Sequence, residues 1–256
     1  MKKIDLNCDL GESFGAYTIG QDELVLDYIS SANIACGFHA GDPMVMARTI
    51  QLCLDKSVAI GAHPGYPDLL GFGRRAMDVS PQEIKHLVMY QISALQGMTQ
   101  ALGGKLQHVK PHGALYNTAA TNQKVAEAIA EAIYLVSPEA ILFGLAESEL
   151  TKAGERIGLV TAHEAFADRT YQANGRLTPR HEPRATIYQV DQAIAQVMSM
   201  ITAGKVKTVN EQEISIKADT ICLHGDSPSA AQFSLSIAKA LKEEKIQVES
   251  IGLWKV

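Results

Sequence analysis

The chain has 256 residues, 46% hydrophobic and 20% charged, with 23 basic side chains against 28 acidic ones and a net charge of −5. This is a globular mixture that excludes disorder, and a chain of this length buries roughly 70–75% of its unfolded surface without disulfide or metal staples. No apolar stretch approaches the ~18 residues of a membrane helix, and no basic cluster with interleaved aromatics calls for a nucleic-acid partner.

Met1-Lys2-Lys3 runs directly into Ile4-Asp5-Leu6 with no apolar signal core, and Cys8, Cys36, Cys53 and Cys222 lack paired spacing. Both features lead to the expectation of a cytoplasmic protein with buried thiols. Strand-like runs at 4–8, 32–38, 58–62, 106–109, 140–144, 159–162 and 220–223 alternate with helical patterns. Ile84, Leu87, Val88, Ile92, Leu95, Met98 and Leu102 form one helical stripe; Ile187, Val190, Ile194, Val197, Met198 and Ile201 form another. Ser80-Pro81-Gln82-Glu83 carries a cap, a first-turn proline and a capping-box glutamate in order. The stretch 166–184 reads as a long functional loop, 205–219 as a small hairpin, and 246–253 as a weak eighth strand.

Strand–helix alternation requires a largely parallel sheet, open or closed. Side-chain parity decides between the two forms. In the first strand Ile4, Leu6 and Cys8 oppose Asp5, Asn7 and Asp9; later strands place Asn33, Gly61, His108 and Lys110 opposite their apolar neighbours. By the same count Thr161 and His163 share the polar side of the sixth strand, and Thr220, Cys222 and His224 that of the seventh. An open sheet covered by helices needs two apolar faces. One apolar face therefore predicts a TIM-barrel-like (β/α) barrel of seven or eight strands, a single domain over residues 1–256, with a polar pocket at the C-terminal strand ends.

Five of the eight histidines (His39, His63, His112, His163 and His224) stand at predicted strand ends. Around them lie Asp9, Glu12, Asp42, Asp68, Lys110, Asp168, Arg169 and Asp226. Such a set can perform general acid–base work, stabilise negative charge or hold a divalent metal. Asp42, before Pro43, and Asp226, before Ser227-Pro228, also read as helix caps, and Gly71-Phe72-Gly73-Arg74-Arg75 is either an anion site or a turn with exposed arginines. No GxxxxGK[ST] loop, GxGxxG turn, GxSxG elbow or HExxH helix occurs, which disfavours P-loop, Rossmann, α/β-hydrolase and zincin chemistry.

The segments Asp5-Leu6-Asn7-Cys8-Asp9-Leu10-Gly11-Glu12, Asn33-Ile34-Ala35-Cys36-Gly37-Phe38-His39-Ala40-Gly41-Asp42 and Gly61-Ala62-His63-Pro64-Gly65-Tyr66-Pro67-Asp68 resemble the LamB/YcsF family. So do Val109-Lys110-Pro111-His112-Gly113-Ala114-Leu115-Tyr116-Asn117, Glu164-Ala165-Phe166-Ala167-Asp168-Arg169 and Cys222-Leu223-His224-Gly225-Asp226. The resemblance implies a barrel of the glycoside hydrolase/deacetylase type. It also implies opening of the lactam of 5-oxo-L-proline to L-glutamate with hydrolysis of ATP, alongside two further 5-oxoprolinase subunits. On that reading Asp9 or Glu12 is the base, His63 and His112 carry protons, and Lys110 and Arg169 stabilise charge. His39, Asp168 and His224 complete the catalytic candidates, with Arg74 and Arg75 as cofactor-binding candidates for ATP. A divalent metal and a homo-oligomer stay open. The rival readings are a stand-alone metal-dependent amidase or deacetylase and a non-catalytic substrate-binding subunit.

Overall fold

The computed structural model describes residues 2–223 and 230–255. From the N-terminus, β1 (Lys3–Leu10) leads through the short α1 (Asp22–Val25) to β2 (Ser31–Ala35), α2 (Pro43–Asp55) and β3 (Ala59–His63). Then follow α3 (Pro81–Ala101), β4 (Leu106–Val109), α4 (Gly113–Ala119), α5 (Gln123–Val136), β5 (Ile141–Leu145), α6 (Glu149–Ile157) and β6 (Thr161–Phe166). The last part holds α7 (Val190–Ala203), the strands β7 (Lys205–Lys207) and β8 (Glu213–Ser215), then β9 (Thr220–Leu223), α8 (Ala230–Glu243) and β10 (Gln247–Val248).

Seven parallel strands close into a barrel in the order β1-β2-β3-β4-β5-β6-β9, because β9 pairs with both β6 and β1. Asn7 sits opposite Ser31 on one side and Cys222 on the other. The weak eighth strand of the sequence is β10, which pairs only with Lys3 and Ile4 at the start of β1 and takes no part in closure. The expected hairpin at 205–219 is the antiparallel pair β7 and β8. Among the described residues no helix is long and apolar enough to cross a membrane.

Local chemistry sets the helix starts. Ser80 and Glu83 form the reciprocal capping box at α3, and α3 buries Ile84, Val88, Ile92 and Leu95 toward the sheet. Asp42 accepts from the Met44 and Val45 backbone N–H groups at 2.8 and 2.9 Å, so its capping role is realised. All four cysteines are free and buried.

The barrel interior is layered. At the N-terminal end, His108 stacks on Phe143 with ring centroids 4.2 Å apart, and Ile141, Phe143, Ala162 and Ile251 form an apolar plug. Above it lies a polar layer. The Asp5 carboxylate accepts from Ser30, Ser31 and Thr220, and Asn7 donates to Thr220 at 2.7 Å. Gly61 is glycine for a steric reason: a Cβ there would stand 2.0 Å from His108 Nε2.

Two outcomes follow from this layering. Gly61→Ala is expected to lower stability by about 3 kcal/mol in denaturant unfolding, and His108→Ala should remove most of that cost. An equal cost in both backgrounds would show that the imidazole is not what excludes the methyl group. Burial raises the Asp5 pKa from 3.8 to about 6, against the lowering effect of Ser31, Thr220 and Ser30. The folded state therefore binds this proton more tightly than the unfolded chain does, so the group's contribution is full below pH ~4 and is lost as pH rises through 6. The loss amounts to about 3 kcal/mol. Asp5→Asn should flatten that slope in unfolding curves measured from pH 4 to 7, and an unchanged slope would assign it elsewhere.

Candidate active site

At the C-terminal end of the barrel one ammonium gathers four strands. Lys110, just past β4, donates to Asn7 Oδ1 at 3.1 Å, Asp9 Oδ1 at 2.9 Å and Cys222 Sγ at 3.0 Å, and lies 2.8 Å from Glu164 Oε1. Burial opposes the charge, but Asp9, Cys222 and Glu164 outweigh it and hold Lys110 protonated well above the usual lysine range. Its three protons are already engaged. Tyr116 of α4 donates to the other Glu164 oxygen at 2.6 Å. Asn33 donates to both Asn7 Oδ1 and Asp9 Oδ1, at 2.8 and 2.9 Å, and accepts from His108 Nε2 at 2.8 Å. Asp9 is thus anchored through Oδ1, while Oδ2 faces His63 Nε2 at 3.3 Å.

Beside Asp9 the end of β3 and the segments after β1, β2 and β4 bring Glu12, His39, His63 and His112 together. One donor atom from each lies within 4.8 Å of the others, an arrangement able to hold a divalent cation. His39 and His112 stack at 3.8 Å with nearly parallel rings, and His63 meets both edge-on. His63 Nδ1 is bound to the Lys110 carbonyl at 2.7 Å, and His112 Nε2 to the Phe72 carbonyl at 2.8 Å. Burial pushes His39 and His112 well below the usual imidazole range, reinforced by their histidine neighbours.

A cavity of about 560 Å³ opens above this floor. Asp9, Glu12, His63, Lys110 and His112 line its inner end; Arg74, Arg176, Arg180 and His181 lie toward the segment 166–186. Among the predicted site residues, Asp9, Glu12, His63, Lys110, His112, Arg74 and Arg169 reach the cavity wall, and His39 sits fully buried behind His112. Arg169 is a strut as well, donating to the Ala185 carbonyl at 3.1 Å and the Thr178 carbonyl at 2.5 Å. Arg75 binds the Asp68 carboxylate and does not line the cavity. Asp168 is half-buried off the cavity wall, its backbone carbonyl accepting from Ile187 at 2.7 Å. His224 and Asp226 lie outside the described residues.

The parity read for the sixth strand is reversed. That strand runs Thr161–Phe166, later than the run at 159–162, and Glu164 rather than His163 faces the interior. His163 instead accepts from the Glu147 backbone N–H at 3.1 Å and faces Glu155 of α6. Asn33 and Tyr116 also belong to the site, and inward parity on β2 is the available signal for Asn33.

The sequence pattern of the LamB/YcsF family matches residues 4–255. The chain belongs to the LamB/YcsF family. It is 60% identical over 252 residues to the A subunit of the Bacillus subtilis (strain 168) 5-oxoprolinase, covering 98% of each chain. It is 58% identical over 248 residues to the A subunit of the Brevibacillus brevis 5-oxoprolinase, covering 97% of this chain and 98% of that one. The crystal structure of a lactam utilization protein from Thermus thermophilus superposes with a TM-score of 0.91 at 40% identity, over 96% of this chain and 99% of that one. The peptidoglycan deacetylase PdaC of Bacillus subtilis, at 14% identity and a TM-score of 0.50 over 98% of this chain and 89% of that one, shares the fold alone.

Lys110→Met leaves the buried Glu164 and the half-buried Asp9 without their cation and should cost about 3–5 kcal/mol of stability. Adding Glu164→Gln should recover part of the loss in the same denaturation experiment. A single-mutant cost under about 1 kcal/mol, the range of an exposed pair, would mean that the ammonium does not organise this floor.

Proposed function

We propose that this LamB/YcsF chain is one subunit of an ATP-dependent 5-oxoprolinase that opens 5-oxo-L-proline to L-glutamate, with ATP hydrolysed to ADP and phosphate. The observation that carries the reading is a partly enclosed cavity whose floor is Asp9, His63, Lys110 and His112, in a chain 60% identical to a 5-oxoprolinase A subunit. A lactam carbonyl is a weak electrophile. The γ-phosphoryl group of ATP passes to that oxygen with ADP leaving, and water adds to the carbon as a carboxylate takes its proton. The C–N bond then breaks with the ring nitrogen taking a proton, and a second water hydrolyses the resulting acyl phosphate to glutamate and phosphate.

Asp9 suits the base because Asn33 and Lys110 anchor one oxygen and leave the other directed at His63. Lys110 works through Asp9 on this reading, fixing its Oδ1 rather than contacting substrate. Arg74, at the cavity wall with its guanidinium 4.8 Å over the Phe72 ring, supplies a cation toward a carboxylate or phosphoryl group. Without a phosphate loop in this chain, ATP is held with or by two partner subunits. The Glu12, His39, His63 and His112 cluster favours a second reading, amide hydrolysis by this chain alone without ATP.

The deciding assay follows glutamate release from 5-oxoproline with the partner subunits and ATP each omitted in turn. The proposal expects turnover only in the complete mixture, and a loss of at least about 100-fold in kcat/KM for Asp9→Asn and for His63→Ala. Turnover indifferent to ATP and partners would transfer the case to the second reading. Wild-type rates from Asp9→Asn would remove Asp9 from the chemistry.

A further inference from the structure

We propose that Glu12, His39, His63 and His112 bind one divalent transition-metal ion of the zinc class. Two ring protons are fixed by carbonyl partners. A backbone carbonyl can only accept, so in the neutral ring the 2.7 Å contact from His63 Nδ1 to the Lys110 carbonyl puts the proton on Nδ1 and leaves Nε2 with a lone pair. By the same logic the 2.8 Å contact from His112 Nε2 to the Phe72 carbonyl leaves the lone pair on Nδ1. These two lone-pair nitrogens face each other at 2.9 Å. His63 Nε2 also faces Asp9 Oδ2 at 3.3 Å, another acceptor. Acceptors converge here, and a cation between them resolves the repulsion.

Three further observations point to the same spot. His39 is fully buried and neither of its ring nitrogens has a hydrogen-bond partner, a cost that a native interior seldom leaves open. Its Nε2 lies 3.4 Å from Glu12 Oε1, which lies 3.6 Å from His112 Nδ1. Four ligands at about 2.1 Å from a tetrahedral zinc stand about 3.4 Å from one another, and the separations of 2.9, 3.4 and 3.6 Å bracket that value. The rings are also held in place. A Cβ at Gly65 would come within 2.6 Å of the His39 ring, and one at Gly73 within 2.8 Å of the His112 ring. Carbonyl partners on the far nitrogens are the outer support that metal-bound imidazoles characteristically carry.

The donor set selects the ion. Three imidazoles and a carboxylate without thiolate suit Zn²⁺, Co²⁺, Ni²⁺ or Mn²⁺ rather than Mg²⁺ or Ca²⁺, which favour oxygen ligands. The metal site stands apart from the lactam reading, because it rests on the arrangement of these side chains and not on 5-oxoproline or ATP.

The test uses the full chain without a polyhistidine tag, first as purified for metal content, then stripped with chelator and titrated with Zn²⁺ and Co²⁺ by calorimetry and visible absorption. One ion per chain is expected, with a tetrahedral cobalt spectrum and a thermal midpoint that rises on reloading. Glu12→Gln, which keeps the side-chain shape, and His112→Ala should each weaken affinity at least about 100-fold. His86→Ala, on the exposed face of α3, should change nothing. The proposal is overturned if the stripped wild type shows no saturable one-per-chain binding of Zn²⁺ or Co²⁺. It is also overturned if Glu12→Gln binds as tightly as wild type. Since none of these readouts uses 5-oxoproline or ATP, a failure here leaves the assay of the proposed reaction to stand or fall separately.

Discussion

The rest of the site depends on the charge of Lys110. Its ammonium reaches Asn7 and Asp9 from β1, Glu164 from β6 and Cys222 from β9, so a single buried cation joins strands that are remote in sequence. Burying ions costs several kcal/mol each, and a well-packed apolar substitute is often as stable or more so. Stability alone therefore does not account for this arrangement. What the ammonium supplies is a carboxylate fixed in direction, with Asp9 Oδ1 anchored and Oδ2 turned toward His63.

That fixation extends downward through neutral groups. His108 is held neutral by burial, its pKa pushed down to about 3, and its Nε2 contact sets the Asn33 amide, whose two donors then reach Asn7 and Asp9. The apolar plug beneath, with Phe143 stacked on His108, removes the alternative orientations of that imidazole. Gly61 is the place on β3 where the backbone must give room for it. Packing at the bottom of the barrel and orientation of Asp9 at the top are thus one mechanical system, connected through side-chain amides rather than through the backbone ladder.

Much of this is legible because β1 to β4 alternate cleanly. Asp5, Asn7 and Asp9 cannot face helices, and the same parity carries Asn33, His108 and Lys110 inward, which is enough to choose a closed barrel over an open sheet. The sixth strand is not legible by that rule. All six residues of Thr161–Phe166 are buried, so polarity does not mark a face, and a run ending at Ala162 stops short of Glu164 and leaves His163 as its polar end. Asp42 shows the converse ambiguity: a carboxylate before a proline reads equally as site or cap, and only the N–H contacts decide. The convergence of His39, His63 and His112 is legible from their strand-end positions, but Glu12 rather than Asp9 completes their group because the turn after β1 carries it there, which no local period encodes.

The outer wall of the cavity is built as firmly as its floor. Arg169 ties the Thr178 and Ala185 carbonyls together, and the buried Tyr171 hydroxyl accepts from the Phe166 backbone N–H at 2.8 Å, fastening the wall to the end of β6. Burial lowers the Arg169 pKa to about 10, still far enough above neutrality for the guanidinium to keep its charge and both contacts. Gln196 of α7 adds contacts to the Phe166, Ala167 and Arg169 carbonyls. A segment fastened at this many backbone positions acts as a wall and not as a free loop. A group entering the cavity would therefore meet a wall whose ordering entropy folding has already met. Beyond these fastenings Arg176 and His181 line the cavity as exposed side chains.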